Sequence, residues 1–339
     1  MLLRNRIKFP LLRKHRDAAK PQPTKRPRIH CSRQLPYEIQ FIICDILLSQ
    51  DPSNKFAITA MRVCSTWANY ICERLYSHFQ FKNYIQFIGF VNTISLENSI
   101  FPYGNYVQEI DLTPVNRYGI DLRMKRVILY CPNLIRIKLG DTTSVSADTI
   151  QLMGRFCNKV KSLEMGGMIS FPFMFDCDFS GMTQLRSVSL LTTPLQATSL
   201  TTLPTSIQHF SIAHMDAIRP EELILFLKQH PQLVSLAIRR CRHLSTDFVP
   251  YLVLLSQLNT LELAGPDIQD ANVKSIFDLS LKLHTLKLCR TKITHVTLEA
   301  LVAGRFVVQH LVLENNSDVS QHAIDVLLKE RPDMEITVN

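Results

Sequence analysis

The stretch LVSLAIRRC, Leu233 to Cys241, poses the problem. Read alone, Cys241 beside Arg239, Arg240 and Arg242 has the surroundings of a reactive thiol. Read for pattern, it opens apolar–x–x–apolar–x–apolar, and that grammar returns along the chain. It recurs as VQEIDL (107), LIRIKL (134), VKSLEM (160), LRSVSL (185), IQHFSI (207), LNTLEL (258), LHTLKL (283) and VQHLVL (308). Successive starts lie 27, 26, 25, 22, 26, 25, 25 and 25 residues apart, and a degenerate tenth copy, MEITVN, stands at 334.

Within each copy the apolar fourth and sixth residues alternate with polar ones, the pattern of a short strand with one buried face. The segments PEELILFLKQH (220–230), TDFVPYLVLL (246–255), DANVKSIFDLSL (270–281) and SQHAIDVLLKE (320–330) then read as helices. Thr246, Asp270 and Ser320 are their expected N-caps. A strand and a helix in about 25 residues cannot bury their own apolar faces, but stacked copies can. The predicted fold class is α/β: a curved solenoid with a parallel inner sheet and outer helices. Two copies depart from the pattern. GGMISFPFMFDCDFSGM (166–182) and LTTPLQATSLTTLP (191–204) carry prolines where a helix is due, so extended or 3-10 structure is expected there. The phenylalanines at 171, 173, 175 and 179 are expected to fill the core between repeats.

The copies resemble leucine-rich repeats, and CPNLIRIKL (131–139) and LAIRRCRHLSTDFVPYL (236–252) resemble the cysteine-containing subfamily. Cys131, Cys157, Cys241 and Cys289 recur in phase with the repeat. A thiol in phase with the core is a small hydrophobe filling a layer, so Cys241 is read as packing and not as chemistry.

Whole-chain totals are consistent with this. The 339 residues are 46% apolar and 20% charged, and no apolar run is long enough to cross a bilayer. The nine cysteines form no CxxC pair, so neither a metal site nor a disulfide scaffold is expected. Free thiols without an export signal point to a reducing compartment, nucleus or cytoplasm. The net charge of +9 is local: residues 1–34 hold eleven Lys or Arg against Asp17, leaving 27 bases and 28 acids for the rest.

Residues 1–34 interleave those bases with Pro10, Pro21, Pro23 and Pro27 and read as a disordered basic tail. Arg13-Lys14 and Lys25-Arg26-Pro27-Arg28 have the spacing of a bipartite nuclear-import signal, whose partner would be an import receptor. Two other readings stay open: a mitochondrial presequence interrupted by Pro10, and a solvated arm with weak, salt-sensitive affinity for nucleic acid.

Residues 35–80 read as a small helical module. Pro36 suits a first helical turn, and Ile39, Ile42, Ile43, Ile46 and Leu47 make an apolar stripe at 3–4 spacing. A turn, SQDPSN, precedes a second helical stretch through Met61, Val63 and Trp67. About 45 residues make a thin core, so some apolar surface is expected to face a partner. The run Leu35-Pro36, Glu38-Ile39, Ile43, Leu47, then Val63-Cys64-Ser65 with Trp67 resembles the F-box. The connection to Val63 is longer than usual, and Leu75-Tyr76 stands where a late tryptophan is common. The resemblance implies docking on the Skp-type adaptor of cullin–RING ubiquitin ligases. Leu35, Pro36, Ile39, Ile43 and Leu47 would lie at or beside that interface, with Val63 and Trp67 packing the module and completing the surface. The competing reading is a helical cap on the repeat array. Residues 81–106 read as a linker or helical cap, and 107–339 as about nine or ten repeats.

The variable strand residues of such repeats face the concave side. Arg136, Lys138, His209, Arg239, Arg240, Glu262, Lys287 and Arg290 are therefore candidate contacts for a target protein. The cations at 239, 240, 287 and 290 are expected to gather around Glu262 and to suit an acidic or phosphorylated segment. The face is mixed in sign, which argues against long nucleic acid. No phosphate loop, dinucleotide fingerprint, HExxH or GxSxG is present, so no catalytic residues, cofactor, metal or membrane contact are expected. F-box and repeats together resemble the F-box/leucine-rich-repeat family. That implies a non-catalytic substrate-recognition subunit of a ubiquitin ligase, bound through the adaptor to cullin and RING subunits. The alternative is a nuclear leucine-rich-repeat scaffold with a degenerate F-box.

Overall fold

Ten parallel strands stack strictly in chain order into one sheet. They are β1 (Glu109–Asp111), β2 (Arg136–Lys138), β3 (Ser162–Gly166), β4 (Ser187–Leu191), β5 (His209–Ala213), β6 (Ser235–Arg239), β7 (Thr260–Ala264), β8 (Lys282–Cys289), β9 (Val307–Glu314) and β10 (Glu335–Val338). Each falls on one of the ten sequence copies. This computed structural model describes residues 35–50, 55–115, 119–140, 145–166, 174, 176–193, 195–244, 246–279, 281–304 and 306–338. The basic tail, with Arg13, Lys14, Lys25, Arg26 and Arg28, lies outside them, as do Phe171, Phe173 and Phe175.

The register carries the repeat's logic. The fourth residues pair in one unbroken row, Leu163–Val188–Phe210–Leu236–Leu261–Leu286–Leu311–Ile336. In the nine hexapeptides none of the first, fourth and sixth residues is more than 5% exposed. At about 1.5–3 kcal/mol for each buried Leu, Ile, Val or Phe, this row and its neighbours drive the stacking. The residue after each of strands β4–β9 is left-handed: Thr192, His214, Arg240, Gly265, Arg290 and Asn315. The amides of the first five continue the ladder, as in His214 N to Arg239 O at 2.9 Å and Arg290 N to Glu314 O at 2.7 Å.

Outer helices α6 (Asp121–Tyr130), α7 (Ala147–Phe156), α8 (Pro220–Gln229), α9 (Asp270–Phe277), α10 (His295–Ala303) and α11 (Gln321–Glu330) cover the opposite side of the core. Ser320 caps α11 by accepting from Ala323 N. Two expectations are corrected. Thr246–Leu254 is a 3-10 run and not an α-helix, because Pro250 inside it has no N–H to donate. Asp270 is the first residue of α9, whose cap is Gln269. The Asp270 carboxylate reaches across instead to the next repeat, accepting from Thr294 N (2.9 Å), Thr294 Oγ1 (2.8 Å) and Thr297 Oγ1 (2.5 Å) at the start of α10. Asp121, first residue of α6, does the same for α7 through Ser146 N and Thr149 Oγ1. Both are inter-repeat ties.

The departing copies lack an outer helix in their described parts. After β4 the chain makes a 3-10 turn, Ala197–Thr202. Its hydroxyls satisfy the extended segment before it: Cys177 N donates to Ser199 Oγ (2.8 Å) and Phe179 N to Thr202 Oγ1 (3.0 Å). Phe179 is fully buried.

All eight described cysteines are free, and all but Cys64 are buried. Cys131 and Cys157 end α6 and α7, Cys241 follows β6, and Cys289 is the last residue of β8 rather than the residue beyond it. Burial raises the Cys241 thiol above its ordinary value and lifts Cys157 to about 12, so both stay protonated and packed. The fully buried His230 ends α8 as Cys131 and Cys157 end α6 and α7, its ring stacked 4.1 Å from Phe226.

Before β1 stand α1 (Tyr37–Gln50), α2 (Lys55–Ala60), α3 (Ser65–Ser77), α4 (Tyr84–Ile94) and α5 (Tyr103–Tyr106). The second helical stretch expected in residues 35–79 is thus two helices, with a turn before Cys64. Phe87, Phe90, Val91 and Ile94 of α4 join the solenoid core, closing its β1 end. Cys44, Ala57, Ala60 and Ile71 form a separate small core joining α1, α2 and α3. Helix α3 belongs to both cores. Leu75 packs on the small one, while Tyr76 packs on the solenoid core, 4.8 Å from the Tyr103 ring, with its phenol pushed up to about 12 by burial. Backbone contacts fasten the junction: Gln108 N donates to Ser77 O, and Gln80 bridges Asp111 on β1.

Candidate functional site: an apolar helix face and a basic rim groove

Helix α1 has two faces. Gln40, Phe41, Cys44, Asp45 and Leu48 turn inward. Phe41 stacks on Tyr70 with ring centres 4.1 Å apart, and Trp67 Nε1 donates to Gln40 Oε1 at 2.7 Å. Asp45 accepts from Tyr70 (2.8 Å) and from Arg74 (2.7 Å), locking α1 to α3. The isoleucine stripe faces the other way: Ile39, Ile42 and Ile46 are 43%, 53% and 51% exposed. Ile43 and Leu47 are half-buried, while Leu35, Pro36 and Tyr37 are exposed where α1 begins. Trp67 packs on the small core, but Val63 does not; it stands in the turn before α3, 62% exposed. A helix burying only one stripe leaves the rest to water, and here the more apolar stripe is the exposed one.

The concave face divides its candidates. Near β1, Glu109 holds Arg136 at 3.8 Å and lies 3.8 Å from the His78 ring, and Lys138 pairs with Glu164 at 3.4 Å. His209 begins β5, exposed between Ser187 and Ser235 in register. The remaining cations lie further along, around β6 to β8. Arg239 grips Glu262 through both Nε and Nη2, the latter at 2.7 Å, and reaches Ser211 Oγ at 3.1 Å. The hydrogen bonds to Glu262 raise the Arg239 guanidinium further above its ordinary value. Lys287 stands opposite Glu262 in register. Arg240 and Arg290 sit past the strand ends and line the rim with His214. Arg136 and Lys138 are four strand spacings from Arg239, about 19 Å, and stand apart from the cations around Glu262.

Two adjoining grooves of about 300 and 370 Å³ open on the rim. Arg242 lines the larger one, although it is not among the candidates read from the sequence. Among the described residues no cluster of His, Cys, Asp or Glu could hold a metal ion, and no helix is long and apolar enough to cross a membrane.

No family model and no curated protein matches the chain. Among solved structures it is similar to internalin C2 of Listeria monocytogenes, at 14% identity and a TM-score of 0.37, over 75% of this chain and 92% of that one. It is also similar to a structure of the yeast Rad7 and Elc1 complex, at 12% identity and a TM-score of 0.41, over 88% of this chain and 96% of that one.

Proposed function

We propose that this chain is the target-binding subunit of a cullin–RING ubiquitin ligase, with residues 35–80 acting as an F-box on a Skp-type adaptor. The observation that carries the reading is the outward isoleucine row of α1, on a module with its own small core at one end of a solenoid. A row of half-exposed isoleucines costs solubility and gains nothing inside the module, so it supports a partner that covers it. The solenoid supplies the other requirement, an extended concave face able to hold a protein.

The mechanism is positional. The module fixes one end of the chain to the adaptor, and the repeats hold a target. A target lysine is thereby kept beside the ubiquitin-loaded subunit at an effective concentration on the order of millimolar. No residue of this chain does bond chemistry in that scheme. The tail's paired basic clusters would take it to the nucleus by way of an import receptor, with residence in nucleus, cytoplasm or both.

A second reading, a leucine-rich-repeat scaffold that joins no ligase, draws on Tyr76: α3 packs into the solenoid core, as an end cap does. Adaptor binding separates the two. The full chain should retain a Skp-type adaptor in a pull-down, and Leu35→Ala/Pro36→Ala and Ile42→Asp/Ile46→Asp should lose it. The second pair is exposed, so its loss of binding cannot come from a collapsed core. Failure of the folded wild-type chain to bind removes the ligase reading and leaves the scaffold.

A further inference from the structure

Glu262 is held by Arg239 and faces Lys287 in register, and a second set of cations, Arg240, Arg242 and Arg290, lines the rim. Arg240 and Arg290 follow β6 and β8 at the left-handed position, with φ of 50° and 52°, and Gly265 takes that position on β7 between them. Two strand spacings, about 9.6 Å, separate the two arginine backbones, and Gly265 lets Arg240 pack close against the turn: a Cβ at 265 would stand 3.3 Å from Arg240 Cα and 3.7 Å from its Cγ. The larger groove, about 370 Å³, is walled by His214, Arg240, Arg242, Pro266, Asp267 and Arg290. Among the described residues no carboxylate pairs with Arg240, Arg242 or Arg290; the nearby Asp216 accepts instead from the Arg242 backbone N–H at 3.3 Å. Three guanidinium groups stand against the one carboxylate of Asp267 in this groove, while Glu262 and Glu314 line the adjoining one.

We infer that this groove binds a phosphorylated side chain on the protein that the repeats hold, an inference that rests on the target-binding reading above. A phosphoserine or phosphothreonine carries about −1.5 to −2 at pH 7 and three acceptor oxygens, matching both the charge and the donors. Guanidinium groups lining one groove suit such a group better than lysines would, because each presents two parallel N–H donors. A nucleic-acid backbone fits worse. It needs a continuous basic track, and here Glu109, Glu164 and Glu262 lie along the same concave face.

The test uses the full-length chain, immobilised, and a degenerate peptide library with a central phosphoserine beside its unphosphorylated twin, at 0.15 M salt. The wild type should retain phosphopeptides selectively. Arg240→Gln/Arg290→Gln should weaken that retention by roughly tenfold or more for each guanidinium removed. Arg126→Gln, an exposed arginine on the outer helix α6, should leave it unchanged. Arg242→Gln, at an exposed side chain, gives an independent variant should the double one lose its circular-dichroism signature. Equal retention of both libraries, or wild-type retention by the rim variants, overturns the inference. So does preferential binding of a 20-mer RNA or an anionic vesicle through the same arginines. No adaptor is present in this assay, so failure of the adaptor pull-down with phosphopeptide selectivity intact would sink only the ligase reading.

Discussion

Removing the Asp270 carboxylate tests whether the repeats are tied to one another through their helix ends. In the folded chain it accepts three hydrogen bonds from Thr294 and Thr297, and the Thr297 hydroxyl is almost wholly buried. A hydrogen bond to a charged group contributes about 1.5–3 kcal/mol, and Asp270 is partly exposed, so water recovers part of that. Asp270→Ala should therefore cost about 2–4 kcal/mol. Part of this cost is the Thr297 hydroxyl left buried without its acceptor, about 1–2 kcal/mol. Thr297→Val removes that hydroxyl at similar volume, so the double variant should be more stable than the summed single effects by about 1–2 kcal/mol. Urea unfolding followed by far-UV circular dichroism measures all four corners of the cycle. The pH dependence gives a second check. Burial raises the Asp270 carboxyl, but its hydrogen bonds from Thr297 and Thr294 outweigh this and leave it below its ordinary value. A carboxylate lowered on folding stabilises fully above its unfolded value, about 4, and loses that as pH falls through the folded value. The gap between wild type and Asp270→Ala should then be constant from pH 8 to 5 and shrink below about 4. Additivity within 0.5 kcal/mol, or a gap unchanged at pH 3, refutes the tie.

Trp67 is the chain's single tryptophan and belongs to the small core, so its fluorescence reports on α1–α3 while circular dichroism reports mainly on the solenoid. Its emission should shift at lower urea than the ellipticity changes, because the small core buries far less apolar area; coincident transitions would show the two cores unfold as one. Trp67→Phe, which loses the bond to Gln40, should lower the midpoint of the module alone by an amount equivalent to about 1 kcal/mol, read in the loss of adaptor binding with urea. In a Cys31→Ser background, a thiol reagent at pH 8 should label Cys64 within the mixing time. Cys131, Cys157 and Cys177 should react only on unfolding, since burial raises all three thiols, Cys157 and Cys177 to about 12. Rapid labelling of Cys131 in the folded chain would contradict the packing assignment.

Period was the most legible feature. Leu236, Leu261, Leu286 and Leu311 recur at 25 residues because each repeat solves the same burial problem, and the structure stacks them in one row. The packing role of Cys241 was legible for the same reason. The 3-10 run at 246–254 was misread because its apolar spacing suits a helix while Pro250 removes a donor. On the candidate site, the sequence reading found Arg239, Arg240, Lys287 and Arg290. It expected them to share Glu262, whereas Arg239 takes both of its oxygens.

What the sequence alone determined is therefore everything repeated within one unit: strand positions, the buried triplet of each hexapeptide, and from these the α/β solenoid. These follow from alternation and period, which are properties of the chain itself. What only the tertiary structure decided lies between units. It chose which stripe of α1 faces in, sent Asp270 to the next helix instead of its own, and set Arg239 on Glu262 while placing Arg240, Arg242 and Arg290 on the rim. Each of these depends on which side chains can span the roughly 5 Å between neighbouring strands, or the gap between two helices, and no linear spacing encodes that distance.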